Sequence, residues 1–200
     1  MKKIIFATKN KGKIKEINAI MYDMNVEVVS MEDAGINIDV VEDGNTFEEN
    51  AIKKAEEIMK VSGIITMADD SGLEIDYLDG APGVYSARYM GEDTPYSIKN
   101  SKILETMKDV KEENRTARFV SVIATAIPNK ETITTKGTVE GIIGYEIKGE
   151  NGFGYDPIFY VPEYNMTTAE MTPELKNSIS HRGKALRLMK EELKKELGDL

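Results

Sequence analysis

Two long β-branched stretches separated by a short turn constrain the fold of this chain more than any other feature. The stretches cover residues 119–127 and 132–143, and Pro128-Asn129-Lys130 lies between them. β-Branched residues favour strands, and a short turn between two such stretches is typical of a hairpin. The sequence therefore predicts a long antiparallel hairpin, which argues against a doubly wound fold built only from alternating strands and helices.

The rest of the chain mixes strand and helix patterns. Short apolar runs predict strands at residues 3–7, 26–30, 63–68 and 157–161. Capping residues and helical spacing predict helices after residue 12, from the Thr46 capping box to about residue 61, over residues 95–108 and at the C-terminal end. The charged run over residues 108–115 is typical of a solvated turn. We therefore expect a mixed α/β fold.

Composition excludes several classes of protein. The 26 basic and 35 acidic residues give a net charge of −9, which argues against a protein that coats nucleic acid or an anionic membrane. The absence of cysteine excludes disulfides, a thiol nucleophile and cysteine-bound metals. Because the sequence contains no linker, signal-peptide core or membrane-length apolar run, we predict one cytoplasmic domain over residues 1–200.

Lysine is concentrated at the start of the chain, where six lysines precede the first acidic residue, Glu16. The segment Thr8-Lys9-Asn10-Lys11-Gly12-Lys13 joins the first predicted strand to the first helix. Backbone N–H groups at a helix N-terminus together with lysine charges favour a phosphate. A solvated basic turn is the open alternative. The segment is not a P-loop, because Ala7 and Ile14 replace the required glycine and hydroxyl residue.

Carboxylates are dense in the next part of the chain. Five of them lie within residues 39–49, namely Asp39, Glu42, Asp43, Glu48 and Glu49. Acidic oxygen-rich sites suit Mg²⁺, which takes one or two carboxylates and leaves other positions to water and substrate phosphates. Glu48 and Glu49 favour a helix N-terminus, where Glu49 can pair with Lys53. Glu42 is therefore the better candidate for a metal ligand.

Asp69 and Asp70 directly follow the apolar run 63–68, at what we expect to be the end of a buried strand. Carboxylates at the carboxyl end of a strand are typical of α/β active sites. Alternation along the strand would send the two side chains to opposite sides, so that one faces a metal and the other anchors the loop. A polar turn is the alternative.

Two further segments suggest ligand recognition. His181 is the only histidine, and together with Arg182 it forms a pair of donors at the predicted start of the last helix. An exposed first helical turn is the alternative for this pair. Phe153 lies between Gly152 and Gly154, which leaves its ring able to stack on a planar base. A plain core position is the alternative for Phe153.

Several separated motifs follow one another along the chain. In chain order they are Thr8-x-Asn10-x-x-Lys13-x-x-Glu16, Thr46-Phe47-x-Glu49-Asn50-Ala51-x-x-Lys54-Ala55, Asp69-Asp70-Ser71-Gly72-Leu73, Gly80-Ala81-Pro82-Gly83, Tyr85-Ser86-Ala87-Arg88-Tyr89, Gly152-Phe153-Gly154-Tyr155-Asp156-Pro157 and Ser180-His181-Arg182. Together they resemble the inosine/xanthosine triphosphate pyrophosphatase family. The resemblance extends from residue 6 to about residue 190. Lys9 departs from the pattern, since the family often has glycine at this position.

The resemblance implies a fold, an activity and a set of site residues. The fold would have two lobes around a long curved sheet with a nucleotide cleft, in a homodimer. The activity would be Mg²⁺-dependent hydrolysis of non-standard purine nucleoside triphosphates (ITP, dITP and XTP) to monophosphate and pyrophosphate, which cleanses the nucleotide pool. The triphosphate would be held by Thr8, Lys9, Asn10, Lys11, Gly12 and Lys13. The metal would be held by Glu42 and Asp70. The nucleotide would be contacted by Ser71, Phe153, Gly154, Tyr155, Asp156, Lys176, His181 and Arg182.

In the expected mechanism, Asp70 orients or deprotonates a water that attacks the α-phosphorus in line. Lys13 and Mg²⁺ would neutralise the pyrophosphate leaving group. Two other functions stay open: a phosphatase that uses Asp69 or Asp70 as a covalent nucleophile, and a regulator that binds nucleotides without turnover. Neither a nucleic acid polymer nor a membrane is an expected partner.

Overall fold

The computed structural model describes residues 2–198 and shows a mixed α/β fold, which confirms the predicted class. Within this range the strands are β1 (Lys2–Phe6), β2 (Val26–Ser30), β3 (Thr66–Ile75), β4 (Thr116–Ala126), β5 (Ile133–Ile143), β6 (Phe159–Val161) and β7 (Met166–Thr167). The helices are α1 (Lys11–Met21), α2 (Phe47–Ser62), α3 (Tyr96–Thr106), α4 (Pro173–Ile179) and α5 (His181–Leu197).

The strands form one sheet in the order β2-β1-β3-β4-β5-β6-β7. β1 pairs in parallel with β2 and β3, whereas β6 pairs antiparallel with β5 and β7. The two long strands predicted as a hairpin, β4 and β5, are neighbours in this order. A sheet with both kinds of pairing needs helical crossovers as well as short turns, so helices and strands do not alternate strictly along the chain.

Capping residues fix the ends of helix α2. Thr46 accepts a hydrogen bond from the backbone N–H of Glu49 at 3.1 Å, while the carboxylate of Glu49 accepts one from the N–H of Asn45 at 2.6 Å. The helix ends at Gly63, whose φ of 67° lies in the left-handed region that glycine adopts without strain. The predicted Thr46 cap and the predicted helix are therefore confirmed, while the return bond of the capping box goes from Glu49 to Asn45 instead of Thr46.

Strand β3 extends past the point where the sequence predicts its end. The predicted strand covers residues 63–68, but β3 continues through Asp69 and Asp70 to Ile75. The prediction that the two aspartates follow the strand is therefore wrong. Both carboxylates have buried hydrogen-bond donors, described below, so their polarity does not end the strand.

Two other predictions need correction, and one helix has no predicted counterpart. The predicted strand over 157–161 is shorter, because Asp156–Ile158 forms a 3₁₀ turn before β6. Helix α4 was not predicted, since a seven-residue segment gives little periodic signal. The charged run contains an exposed turn, Glu112–Asn114, but Arg115 after it is buried and donates to the carbonyl of Ile143 at 2.7 Å.

Contacts divide the chain into two compact units. Unit 1 contains Met1–Asp70, Ser121–Gly137 and His181–Leu200, and unit 2 contains Ser71–Val120 and Thr138–Ser180. Each unit has its own apolar core. We describe the units separately, and the single domain over residues 1–200 stays a prediction. In the described range, no helix has the length and apolar character that crossing a membrane requires.

Candidate active site

The lysine-rich loop of unit 1 leads into helix α1. Asn10 caps this helix, since its Oδ1 accepts hydrogen bonds from the backbone N–H groups of Gly12 (2.9 Å) and Lys13 (3.3 Å). Thr8 Oγ1 accepts another from the N–H of Asn10 at 3.1 Å. These bonds set the path of the loop at the positive end of the helix dipole. The side chain of Lys11 lies outside the described part of the structure.

Lys9 is an exposed residue of the same loop. Its ammonium group pairs with Asp39 at 2.7 Å, and both side chains are largely exposed to water. A pair of this kind contributes at most about 1 kcal/mol. Lys9 can therefore exchange Asp39 for an incoming anion at little cost.

A buried ion-pair network surrounds the carboxylate of Asp69. Lys13 Nζ lies 2.6 Å and Arg182 Nη2 lies 3.2 Å from the same oxygen, Oδ2. The hydroxyl of Ser121 donates to the other oxygen at 2.6 Å, and Arg182 also pairs with Glu16. Asp69 thus joins β3 to the start of α1, to β4 and to the start of α5.

This network shifts the pKa values of its members. Burial by itself would raise the pKa of Asp69, but Arg182 and Lys13 outweigh burial and hold this pKa far below its usual value. Burial lowers the pKa of Lys13 below its usual value, with Asp69 opposing the change. Asp69 is therefore a permanent anion that keeps Lys13 and Arg182 in place, and it cannot serve as a base near neutral pH.

Asp70 has a different environment. Its carboxylate is 7% exposed and accepts a hydrogen bond from Asn50 Nδ2 at 3.1 Å. Burial raises the pKa of Asp70 to about 6; Lys54 and Lys13 oppose this rise and Glu42 adds to it. The separate partners of Asp69 and Asp70 agree with the predicted alternation along the strand. A carboxylate with this pKa is suited to accepting a proton near neutral pH.

Lys54 and Asn50 are two residues of α2 whose roles become visible only in the structure. Lys54 pairs with Glu42, and the charges of both side chains influence the pKa of Asp70. Asn50 also accepts a hydrogen bond from the N–H of Gly44 at 2.8 Å, which ties the acidic loop to Asp70. The signal for them was present, since both residues lie in the second motif of the family resemblance.

The neighbouring carboxylates divide into two groups. Glu49 accepts its bond at the start of α2 as described, whereas Glu48 accepts a hydrogen bond from Thr134 of β5 at 2.7 Å. Both carboxylates therefore have structural partners. The predicted pair between Glu49 and Lys53 is wrong, because Lys53 pairs with Asp43 at 2.6 Å. Asp43, in the loop that precedes α2, replaces Glu49 as the partner of Lys53.

Glu42 and Asp70 have the chemistry of a magnesium site. Among residues 2–198 there is no group of three or more histidine, cysteine or acidic side chains that could hold a metal. Mg²⁺ needs only one or two protein carboxylates when phosphates and water supply the rest. The negative charge of Glu42 disfavours ionisation of Asp70, and a cation would reverse this effect. The pair therefore fits Mg²⁺.

His181 and Arg182 lie at the start of α5, as predicted, and both are buried. The alternative of an exposed first turn is therefore wrong. A Cβ atom at Gly137 would lie 2.1 Å from the carbonyl oxygen of His181, so β5 can pack against this turn only because residue 137 is glycine. Arg182 contacts Asp69 and Glu16 instead of solvent.

In unit 2, Asp156 organises the loop that carries Phe153. Its Oδ2 accepts hydrogen bonds from the backbone N–H of Phe153 at 2.7 Å and from Lys176 at 2.8 Å. Its Oδ1 accepts one from Thr168 at 2.8 Å. A Cβ atom at Gly152 would lie 2.2 Å from Oδ2, so this close approach requires glycine. Asp156 thus shapes the loop directly.

The aromatic residues of this loop differ in exposure. Phe153 is half-buried, and the ammonium of Lys176 lies 4.8 Å from the centre of its ring. Tyr155 is 3% exposed and donates its hydroxyl to the carbonyl of Ser86 at 2.7 Å. Ser71, also in unit 2, is half-buried in β3. Phe153 is therefore the ring of this loop that is suited to contact a ligand.

Comparisons with known proteins agree with these features. The model of the Ham1 family matches residues 4–192. The chain is 52% identical to the dITP/XTP pyrophosphatase of Clostridium perfringens, covering 97% of this chain and 98% of that protein. It is 49% identical to the dITP/XTP pyrophosphatase of Bacillus subtilis, covering 94% of each chain.

Solved structures give the same result. The Ham1 protein of Staphylococcus aureus has a TM-score of 0.87 at 44% identity, covering 98% of this chain and all of that one. A nucleoside-triphosphatase, or dITP/XTP pyrophosphatase, of Mycobacterium abscessus has a TM-score of 0.75 at 40% identity, with coverages of 94% and 98%. The fold and site thus define a hydrolase that acts on phosphoric anhydrides. The chain belongs to the Ham1 family, which confirms the resemblance noted in the sequence.

Proposed function

We propose that this chain hydrolyses non-standard purine nucleoside triphosphates, namely ITP, dITP and XTP, to the monophosphate and pyrophosphate. The observation that carries the proposal is the buried carboxylate of Asp70, which accepts a hydrogen bond from Asn50 at 3.1 Å and whose pKa responds to the charges of the Lys54–Glu42 ion pair. The relatives from Clostridium perfringens and Bacillus subtilis are dITP/XTP pyrophosphatases, which supports this substrate class.

The loop from Thr8 to Lys13 binds the triphosphate in this proposal. The N-terminus of α1 favours negative charge, and the ammonium of Lys13 stabilises the charge that develops on the leaving pyrophosphate. Asp69 holds Lys13 in this position through their 2.6 Å contact. Lys54, near Glu42 and Asp70, supplies a second cation.

Asp70 accepts a proton from the water that attacks the α-phosphorus. Its carboxylate is ionised above pH 6 and is oriented by the amide of Asn50. When bound, Mg²⁺ would be held by Glu42 and Asp70 and would neutralise charge on the substrate phosphates. Positioning and charge stabilisation supply most of the catalysis in such a site.

Phe153 stacks on the base on the ring face opposite Lys176, and Ser71, Gly154 and Tyr155 belong to the same proposed set of nucleotide-binding residues. His181 and Arg182 supply hydrogen-bond donors to a 6-oxo group. A 6-amino purine would place a donor against these donors, which costs about 1–3 kcal/mol for each buried donor left unpaired. Asp156, which the sequence predicts to contact the base, orients Phe153 through the 2.7 Å bond described above.

Product analysis tests this function. ITP and Mg²⁺ are incubated with the enzyme, and pyrophosphate and orthophosphate are quantified separately. We expect one pyrophosphate for each inosine monophosphate. Orthophosphate with an acid-stable aspartyl adduct would indicate a phosphatase with an aspartate nucleophile, and binding of ITP without product would indicate a regulator. The homodimer and the cytoplasmic location stay predictions.

A further inference from the structure

One face of helix α3 supports two loops of unit 2. Tyr96, Lys99 and Asn100 have the i, i+3 and i+4 spacing that places side chains on one face of a helix. Lys99 donates to the carbonyl of Ala87 at 2.6 Å, and the ring of Tyr96 meets the ring of Tyr155 edge-on, with 5.1 Å between centres. Asn100 Nδ2 donates to the carbonyl of Gly154 at 3.0 Å.

Asn100 is a poor choice for stability alone. The side chain is 2% exposed, and its Oδ1 is buried without a hydrogen-bond donor in the described part of the chain. A buried acceptor without a donor costs free energy that an apolar side chain of the same size would not. The single bond from Nδ2 to Gly154 is the contact that the asparagine makes in exchange.

That bond lies beside Phe153 and the two glycines that flank it. Gly152 and Gly154, which flank Phe153, have φ values of 77° and 68°, and glycine imposes little restriction on its own backbone. Asp156 holds the N–H of Phe153 on one side. Asn100 holds the carbonyl of Gly154 on the other. Together the two bonds fix the backbone that carries the Phe153 ring.

We propose that Asn100 is a positioning residue for base recognition, which acts through the Gly154 carbonyl to hold the Phe153 ring in its stacking orientation. The inference rests on the proposed function, because it requires that Phe153 stacks on the base. Asn100 itself is buried and touches no substrate. Its loss should therefore weaken binding of the base and leave binding of the phosphates unchanged.

The test compares Asn100→Leu with Ser101→Ala, a matched control on the same helix with an exposed side chain. We expect Asn100→Leu to raise KM for ITP about fivefold, the effect of one lost hydrogen bond, with kcat within about twofold. The inhibition constant of inorganic tripolyphosphate, which has no base, should not change. Tm should change little, because the unpaired Oδ1 is gone but the Gly154 carbonyl loses its donor. Ser101→Ala should match the wild type throughout.

A double-mutant cycle with Phe153→Ala separates positioning from a general structural role. If Asn100 acts through Phe153, the two substitutions together should raise KM no more than Phe153→Ala alone. Additive effects, or a parallel loss of tripolyphosphate inhibition, would overturn the inference. If Asn100→Leu lowers Tm strongly, Asn100→Ala replaces it in the same cycle and is judged by the same criteria.

The cycle also distinguishes this inference from the proposed function. If Phe153→Ala leaves KM for ITP unchanged, the stacking role fails and the inference fails with it. If Phe153→Ala raises KM while Asn100→Leu does not, the stacking role stands and only the role of Asn100 is rejected.

Discussion

Asp69 and Asp70 are consecutive residues of β3, yet their pKa values are shifted in opposite directions. Asp69 lies among Lys13, Arg182 and Ser121 and stays ionised, whereas burial raises the pKa of Asp70 to about 6. Alternation along the strand exposes neighbouring side chains to different surroundings. Asp69 thereby holds two cations, and in the proposed reaction Asp70 exchanges a proton.

Asp70→Asn and Glu42→Gln should each abolish most turnover and leave the fold intact. Both substitutions preserve size and remove the charge that, in the proposed function, accepts a proton or holds Mg²⁺. The checks are kcat for ITP at saturating Mg²⁺ and the far-UV circular dichroism spectrum. A near-wild-type rate for Asp70→Asn would show that another residue is the base.

Asp70→Asn should also stabilise the metal-free enzyme at high pH. A carboxyl with a folded pKa of about 6, above its usual 3.8, makes the folded state progressively less stable as the pH rises from about 4 to above 6. When Asp70 is fully ionised, the free energy of unfolding is lower by an amount on the order of 3 kcal/mol. Denaturant unfolding in EDTA should show the variant more stable than the wild type at pH 8, with the difference lost at pH 4.

Asp69→Asn is the matched control for this measurement. Asp69 has a lowered pKa, so its charge stabilises the folded state throughout the range from pH 5 to 8, and the contribution is lost only as the pH falls through the folded pKa. We expect Asp69→Asn to lower stability by roughly 3–5 kcal/mol, because it leaves buried cations without their partner. Equal effects of the two substitutions would contradict the assigned roles.

Lys13→Ala should reduce kcat/KM for ITP far more than Lys15→Ala. The two positions are about 200° apart around the helix, and Lys13 contacts Asp69 whereas Lys15 is exposed. Steady-state kinetics at two salt concentrations give the comparison. Similar losses in both variants, relieved by salt, would mean a diffuse attraction without a defined phosphate site.

Arg182→Ala should narrow the preference for ITP over ATP, mainly by lowering kcat/KM for ITP. Phe153→Ala should lower kcat/KM for both ITP and ATP, since every purine has a face for stacking. Because Arg182 is buried with Asp69 and Glu16, Arg182→Ala should also unfold at a lower temperature than the wild type. The assays should therefore be run well below the Tm of this variant. An unchanged ratio of kcat/KM values would remove Arg182 from base recognition.

Local sequence patterns predict most of the fold because they act within one element. The Thr46 cap, the glycine at residue 63 and the β-branched runs of β4 and β5 each specify their own segment. The sequence misplaces the end of β3 because polar residues normally end a strand. Asp69 and Asp70 find their buried partners through tertiary contacts that are distant in the chain.

Prediction of the candidate site from the sequence is limited in the same way, by contacts between residues distant in the chain. Clustered lysines and carboxylates indicate the chemistry, and the motifs indicate the residues, but no local pattern tells that Lys53 pairs with Asp43 and Lys54 with Glu42. The burial of Arg182 also depends on Glu16, which is 166 residues away in the chain. Such pairs become visible only in the folded structure.

The position of bond cleavage tests the central claim most directly. The enzyme hydrolyses ITP in water enriched in ¹⁸O, and mass spectrometry locates the label in the products. Attack on the α-phosphorus predicts one ¹⁸O atom in inosine monophosphate and none in pyrophosphate. Label in pyrophosphate, or orthophosphate as the labelled product, would contradict the proposed reaction.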